Sequence, residues 1–350
     1  MNNANLTKIK IENRLISLNH KPLIVPEIGI NHNGSLEIAF KIVDAAKRAG
    51  AEIIKHQTHI PEDEMSIEAK KIKPGNSNKN IYEIISKASL SAEDEFKLFN
   101  YIKKKKMIFL STPFSREAVD RLTKFGVNAF KIGSGEMNNF PLIDYITKFN
   151  KPMIISTGMH STENVRKLVN FLSKKKTKFA LMHTTNLYPT PNKLVRLNSI
   201  TELKKKFPNL VIGLSDHTET NHSSLGAVAL GACIIEKHFV DHKKRKGPDI
   251  KSSIDEKGLK ELIKDCEIIF VQRGGSKNLL AEEQITRNFA FASVVSIKEI
   301  KKGEILSHKN IWVKRPGNGD FAADKFEKIL GKIAIKNIKK NIQIKKSDIR

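Results

Sequence analysis

Residues 209–241 read NLVIGLSDHTETNHSSLGAVALGACIIEKHFVD, and its two strand-like runs, NLVIGLSDH and CIIEKHF, carry His217 and His238 at or near their ends. Between them, TNHSSLGAVALGA has helical character, so the stretch reads as strand, helix, strand with a parallel sheet. Adjacent parallel strands lie about 5 Å apart. Both imidazoles can then reach one metal ion from the same end of the sheet, which makes them a candidate metal site.

Working outward, six more apolar runs close on polar residues: LIVPEIGIN (23–31), EIIKHQTH (52–59), MIFLSTPF (107–114), AFKIGSGE (129–136), PMIISTGM (152–159) and FALMHTTN (179–186). Helix-like segments follow most of them, at 36–50, 91–105, 115–126, 141–149, 161–175 and 199–207, and a last one spans 255–271 after the eighth run. Eight such repeats call for an α/β fold of the (β/α)8 barrel (TIM barrel) type, because a doubly wound sheet usually stops at about five or six strands.

In such a barrel the active site lies at the C-terminal ends of the strands. The residues there are Glu27, Lys55, Gln57, Ser111, Thr112, Lys131, Ser134, Glu136, Ser156, Thr157, His183, Asn186, Ser215, His217, Glu236 and His238. Strand alternation groups Lys55 with Gln57, Ser215 with His217 and Glu236 with His238, and turns His56, Asp216 and Lys237 outward. It sets Lys131 opposite Glu136 unless Gly133 and Gly135 break the strand, which leaves that pair open. Lysines, hydroxyls and glycine turns at strand ends suit an anion with several oxygens, a phosphate or carboxylate. Two histidines are too few for a closed metal shell, so water, substrate oxygens or an acid such as Glu236 or Asp249 must complete it, as Lewis-acid catalysis on a carbonyl requires. His56, His59, His160, His222 and His242 read as core or helix-packing histidines.

The formal charge is +25, but the lysines are spread along the chain in runs such as Lys103 to Lys106 and Lys174 to Lys176, without a basic motif interleaved with aromatics. That argues against a nucleic-acid partner and fits a compositional excess that also steers anionic substrates. Cys233 and Cys266 form no CxxC pattern and read as reduced core residues of a cytoplasmic protein. The N-terminal MNNANLTKIKIENR lacks a signal peptide's apolar region, and no run is long enough to cross a membrane. Polar insertions at 60–80, with a Pro-Gly-Asn turn, at 187–195 and at 241–254 are placed to line or cover the pocket.

After residue 275 the helical repeat stops and FAFASVVSIKEIKKGEIL reads as strand. IKEIKKGEILSHKNI (297–311) aligns with IKNIKKNIQIKKSDI (335–349), so a small domain of two related halves is expected, with the loop VKRPGNGDF carrying Arg315 between them. The division is a barrel over 1–275, a linker over 276–287 and the small domain over 288–350.

The segments EIGINHNGSL, IKHQTH, STPFS, FKIGSGEMNNFPL, STGM, NLYPTP, GLSDHT, ALGACIIEKHF, GPDI, FAFASVV and VKRPGNGDF resemble those of bacterial N-acetylneuraminate (sialic acid) synthases, in order, over about residues 20–350. The resemblance implies a TIM barrel followed by an antifreeze-like (SAF, β-clip) domain, in a domain-swapped homodimer. It implies condensation of phosphoenolpyruvate with N-acetylmannosamine and water to give N-acetylneuraminate and phosphate. A divalent ion, Mn2+ foremost with Mg2+ or Co2+ as alternatives, is implied on His217 and His238, polarising the open-chain aldehyde. Phosphoenolpyruvate falls to Lys55, Thr112, Lys131, Ser134, Asn186 and Ser215, with Ser156 nearby. The sugar falls to Glu27, Gln57, Tyr188 and Asp249, with Arg315 reaching the N-acetyl group across the dimer. Glu136 takes the proton-handling role, with Lys55 and Lys131 as the other catalytic groups. Met137, Phe140 and Lys237 depart from the family's cysteine, tyrosine and arginine, so the sugar is where a sister synthase of legionaminic or pseudaminic acid, using a diacetamido hexose, competes.

Overall fold

A computed structural model describes residues 7–74, 78–175 and 177–350. The chain divides into two units, Met1–Gly274 and Gly275–Arg350. The first begins with a hairpin that the sequence analysis did not anticipate, β1 (Ile9–Ile11) against β2 (Arg14–Ile16), with Ile9 opposite Ile16.

Each of the eight expected runs then supplies a barrel strand: β3 (Leu23–Gly29), β4 (Ile53–Thr58), β5 (Ile108–Pro113), β6 (Phe130–Ile132), β7 (Met153–Ser156), β8 (Phe179–Thr184), β9 (Val211–Asp216) and β10 (Ile234–His238). All pair in parallel in sequence order, and β10 closes onto β3. The helices are α1 (Leu36–Arg48), α2 (Pro61–Glu64), α3 (Ile81–Ala88), α4 (Ala92–Lys104), α5 (Arg116–Phe125), α6 (Phe140–Thr147), α7 (Thr162–Ser173), α8 (Asn198–Lys206), α9 (His222–Ala229) and α10 (Glu256–Gln272), and the longer ones pack around the strands. Ser35, Ser91, Ser115 and Ser161 each start a helix by accepting the backbone N–H three residues on, which satisfies an otherwise orphaned donor. Insertion 60–80, expected to be a loop, holds α2 and a 3-10 turn at Ile67–Lys71; Gly75 and Asn76 of its expected turn lie outside the described residues.

The strand period of two sorts every barrel residue. Outward side chains such as Ile28, Ile54, Phe109 and Ile155 pack in one core with Ile42, Leu98 and Leu168 of the helices. Inward ones are apolar in the lower barrel, where Leu23, Val25, Ile53, Leu110, Ile154 and Met182 cluster with Ile9, Ile11 and Ile16 of the hairpin. Burying one such side chain contributes about 1.5–3 kcal/mol. The next inward position on each strand is polar, so the apolar lower barrel is the rigid floor of a polar upper layer. As expected, Asp216 and Lys237 face outward and pair at 2.9 Å, with Ser224 of α9 donating to Asp216 at 2.7 Å. Correcting the core assignment, His222 and His242 are exposed.

The second unit contains α11 (Gln284–Ala290), β11 (Ser293–Ser296), β12 (Ile311–Lys314) and α12 (Phe326–Ile329). A 3-10 turn at Ala281–Glu283 and the start of α11 occupy the expected linker. The sequence repeat is a structural one. Ile300 and Ile338, equivalent in the two halves, exchange N–H···O bonds of 2.9 and 2.8 Å across an antiparallel bridge. The bond from Leu306 N–H to Lys332 O recurs as Ile344 N–H to Val294 O, as a local two-fold axis through the Ile300–Ile338 pair requires. Ile300, Leu306, Ile311, Ile338, Ile344 and Ile349 form the shared core. Among the described residues no helix is long and apolar enough to cross a membrane.

Candidate active site

The polar upper layer surrounds a cavity of about 170 Å³. Thirteen of the fifteen predicted site residues line it: Glu27, Lys55, Gln57, Thr112, Lys131, Ser134, Ser156, Asn186, Tyr188, Ser215, His217, His238 and Asp249. Register explains the convergence, since Glu27 on β3 sits beside Lys55 on β4 and beside His238 on β10. A register shift between Glu27 and Gly29, where Gly29 takes φ +48°, opens β3 just above that level. A Cβ on Gly29 would stand 3.5 Å from both Gln57 Nε2 and His238 Nδ1 and 3.6 Å from Asp249 Oδ2, so three of the lining groups close around it.

One wall carries the ammonium groups. Lys131 Nζ donates to Ser156 Oγ at 2.8 Å and lies 3.3 Å from Glu236 Oε1. Lys55 pairs with Glu27 and stands 3.5 Å from the same Glu236 oxygen, to which Ser215 Oγ donates at 3.2 Å. Burial works against charge on Lys55, but Glu236 and Glu27 outweigh it and hold its pKa above the ordinary lysine value. Lys131 goes the other way, lowered by burial and by Lys55 beside it. Glu27 resists its own burial and stays well below the usual carboxylate range because Lys55, His238 and Lys131 surround it. Glu236, named among the strand ends and as one acid that could complete the metal shell, sits against both lysines and is the hub of their cluster. Its Oε2 is buried without a partner, as is Asn186 Oδ1. Both are polar atoms left for something in the cavity.

Ser134 and Asn186 come together over Gly158, whose N–H donates to Ser134 Oγ at 3.0 Å. A Cβ at Gly158 would stand 1.8 Å from Asn186 Oδ1 and 2.8 Å from Ser134 Oγ, so only glycine permits this approach. Gly158, within the STGM segment, was not among the expected site residues, nor were Thr184 and Phe114 of the lining.

The two histidines stand beside this cluster at the ends of β9 and β10, ring centroids 5.4 Å apart. His217 Nδ1 is 2.9 Å from the Thr185 carbonyl, which can only accept. Nδ1 is therefore the protonated nitrogen, and Nε2 offers its lone pair, the tautomer a metal ligand needs. Burial, with His238 adding to it, lowers the His217 pKa to about 3, so the imidazole is neutral. His238 Nε2 is 3.8 Å from Glu27 Oε2, and its partnerless Nδ1 is 3.8 Å from Asp249 Oδ2. Among the described residues no three His, Cys, Asp or Glu side chains gather tightly enough to hold an ion by themselves. The donor set fits a divalent cation held by two imidazoles, with the rest of the shell left to water and substrate. Tyr188 stacks on His217 at 4.2 Å and stands edge-on to His238 at 5.8 Å, screening the pair from solvent.

Glu136 and Arg315 are not among the residues that line the cavity. After Gly133 the chain leaves β6 for a 3-10 turn at Ser134–Glu136, which removes the parity conflict between Lys131 and Glu136. Glu136 does not line the cavity; its Oε2 accepts from Asn139 Nδ2 at 2.6 Å. Burial raises its pKa against that hydrogen bond, with the charge of Glu64 adding to the rise. Arg315 is an exposed residue of the second unit, in the loop after β12.

The NeuB family profile matches residues 42–278 and the SAF domain profile residues 291–350. N,N'-diacetyllegionaminic acid synthase of Campylobacter jejuni is 40% identical over 92% of this chain and 98% of its own length. Pseudaminic acid synthase of the same species is 36% identical over 94% and 97%. The crystal structure of an N-acetylneuraminic acid (sialic acid) synthetase from Leptospira borgpetersenii, in complex with citrate, superposes with a TM-score of 0.73 at 30% identity, covering 80% of this chain and 95% of that one.

Proposed function

The chain belongs to the NeuB family, with a SAF domain at its C-terminal end, and on that premise we propose that it condenses phosphoenolpyruvate with N-acetylmannosamine and water to give N-acetylneuraminate and phosphate. The observation that carries this reading is the division of one cavity into an ammonium and hydroxyl wall around Lys55, Lys131 and Ser156 and a two-imidazole wall at His217 and His238. Such a cavity suits a phosphorylated carboxylic acid on one side and a carbonyl on the other.

In the proposed reaction Lys55, Lys131, Thr112, Ser134, Ser156, Asn186 and Ser215 bind the phosphate and carboxylate oxygens and turn the alkene carbon toward the sugar. Glu27, Gln57, Tyr188 and Asp249 orient the open-chain sugar. A divalent cation, Mn2+ foremost, on His217 and His238 supplies polarisation of the aldehyde when bound. The alkene carbon attacks the aldehyde carbon, whose oxygen takes a proton. Water adds to the cationic carbon left behind and gives up a proton. The tetrahedral intermediate then expels phosphate, which keeps the bridging oxygen. Glu136 is assigned the proton handling; a carboxyl raised by burial holds a proton longer than an exposed one, as a general acid requires.

Arg315 is assigned to the N-acetyl group of the site on a partner protomer, in a domain-swapped homodimer. Exposed Ile285, Phe289 and Trp312 in the second unit support a partner surface. The buried free thiols of Cys233 and Cys266 support a cytoplasmic location. A second reading, a diacetamido hexose as acceptor, is favoured by one observation: the two Campylobacter relatives are named for legionaminic and pseudaminic acid. Offering both sugars with phosphoenolpyruvate and Mn2+ separates the readings, since a tenfold or greater preference in kcat/KM for the diacetamido sugar overturns the first.

A further inference from the structure

Beside the cavity a directional chain of hydrogen bonds runs from the α2 insertion to the wall assigned to the sugar. Its first link joins Glu64, the last residue of α2, to His59, whose Nδ1 is 3.0 Å from each carboxylate oxygen. The second joins His59 Nε2 to Gln57 Oε1 at 3.0 Å, and the third joins Gln57 Nε2 to Glu27 Oε1 at 2.6 Å. His59 is 7% exposed and its ring stacks on Phe114 at 4.3 Å, nearly parallel at 10°, so packing and hydrogen bonds together hold its position.

The polarity of the chain follows from the ends. Glu27 is paired with the Lys55 ammonium and accepts from Gln57 Nε2 at Oε1, so Gln57 presents its NH2 to it. That turns Gln57 Oε1, also a pure acceptor, toward His59. His59 Nε2 must therefore carry a hydrogen whether or not Nδ1 does. If the His59 donor were missing, Gln57 Oε1 would be free to turn into the cavity and the amide would lose its fixed sense.

We propose that His59 is a positioning and specificity-determining residue: it occupies Gln57 Oε1, so that Gln57 offers the acceptor sugar only the N–H not given to Glu27 and selects an oxygen of the sugar at that point. This rests on the assignment of Gln57 to the sugar wall under the proposed function. His59 is not among the residues that line the cavity. The bond it makes is of ordinary strength, and its loss lowers sugar affinity by about tenfold.

The experiment compares His59→Phe, which keeps the stacking on Phe114 and removes the donor, with His59→Gln, whose amide nitrogen reaches the place of Nε2, in the full-length protein. Wild-type turnover with either acetamido sugar is measured first; absence of turnover there counts against the proposed function, separately from this inference. With turnover established, the expected result is a rise of about tenfold in KM for the sugar in His59→Phe, KM for phosphoenolpyruvate within about twofold of wild type, recovery in His59→Gln, and no further effect of His59→Phe in a Gln57→Ala background. An equal rise in both KM values, no recovery in His59→Gln, or full additivity with Gln57→Ala overturns the inference. Should His59→Phe fail to fold, His59→Asn replaces it, because its shorter amide mimics Nδ1 and not Nε2; sugar KM values equal in His59→Asn and His59→Gln then overturn the inference.

Discussion

Replacing Glu236 by glutamine removes one negative charge from beneath two buried ammonium groups with almost no change of shape. Its Oε1 lies 3.3 Å from Lys131 Nζ and 3.5 Å from Lys55 Nζ, and all three side chains are 3% exposed. At an effective dielectric constant of about 20 each contact is an attraction of roughly 5 kcal/mol. Part of that is returned because the carboxylate no longer has to be desolvated, and breaking one partner out of a buried pair costs about 3–5 kcal/mol. For a unit of this size roughly 2–4 °C accompany each kcal/mol, so thermal unfolding of Glu236→Gln is expected about 6–20 °C below wild type. Glu27 alone then faces both lysines, and an added anion has more uncompensated charge to meet. Inorganic phosphate is therefore expected to raise the Tm of the variant by more than it raises that of wild type. A loss of less than about 2 °C, or a phosphate effect larger in wild type, refutes the view that Glu236 balances the lysines.

Four further outcomes are expected. His217→Ala and His238→Ala each abolish metal-dependent turnover and weaken Mn2+ binding by calorimetry, while circular dichroism stays that of wild type; full activity with bound metal in either contradicts the assignment. Gly158→Ala, whose methyl collides with Asn186 Oδ1, raises KM for phosphoenolpyruvate by tenfold or more; an unchanged KM contradicts the close approach. His32 is held near a pKa of about 3, by burial and then by His56 and His59, against about 6.5 when unfolded. The folded state binds the proton less readily, so the stability it contributes is present above pH 6.5 and lost as pH falls toward 3, on the order of 2 kcal/mol by pH 5; a Tm unchanged between pH 7 and 5 contradicts this. Cys233 and Cys266, raised by burial to about 11 and 12, resist iodoacetamide at pH 8 in the native protein and react after denaturation; rapid native labelling contradicts their burial.

Much of this was legible because a barrel strand has a strict period. Once Lys55, Gln57, Ser215, His217 and His238 were assigned to strand ends, alternation alone faced them inward, and the parallel register brought them together. The hub role of Glu236 was not legible, since Lys55 and Lys131 reach it from β4 and β6, strands that do not pair with β10. Gly158 was missed for a similar reason: its constraint is the approach of Ser134 and Asn186 from two other loops. The hairpin at Ile9–Ile16 was readable from its alternating isoleucines and the turn at Glu12, but it lies outside the eight repeating strand and helix units. His59 was read as a packing histidine, which its stacking on Phe114 bears out in part; its bond to Gln57 needed both side-chain positions.

The most direct measurement is mass spectrometry of the product formed from phosphoenolpyruvate and Mn2+ with N-acetylmannosamine, and separately with a diacetamido hexose, in water labelled with oxygen-18. The expected product is a keto acid heavier than the sugar by one pyruvate, with the label entering the new carbonyl and none entering the released phosphate. Phosphate that carries the label, or phosphoenolpyruvate left unconsumed with every acetamido sugar offered, contradicts condensation by attack of water on carbon.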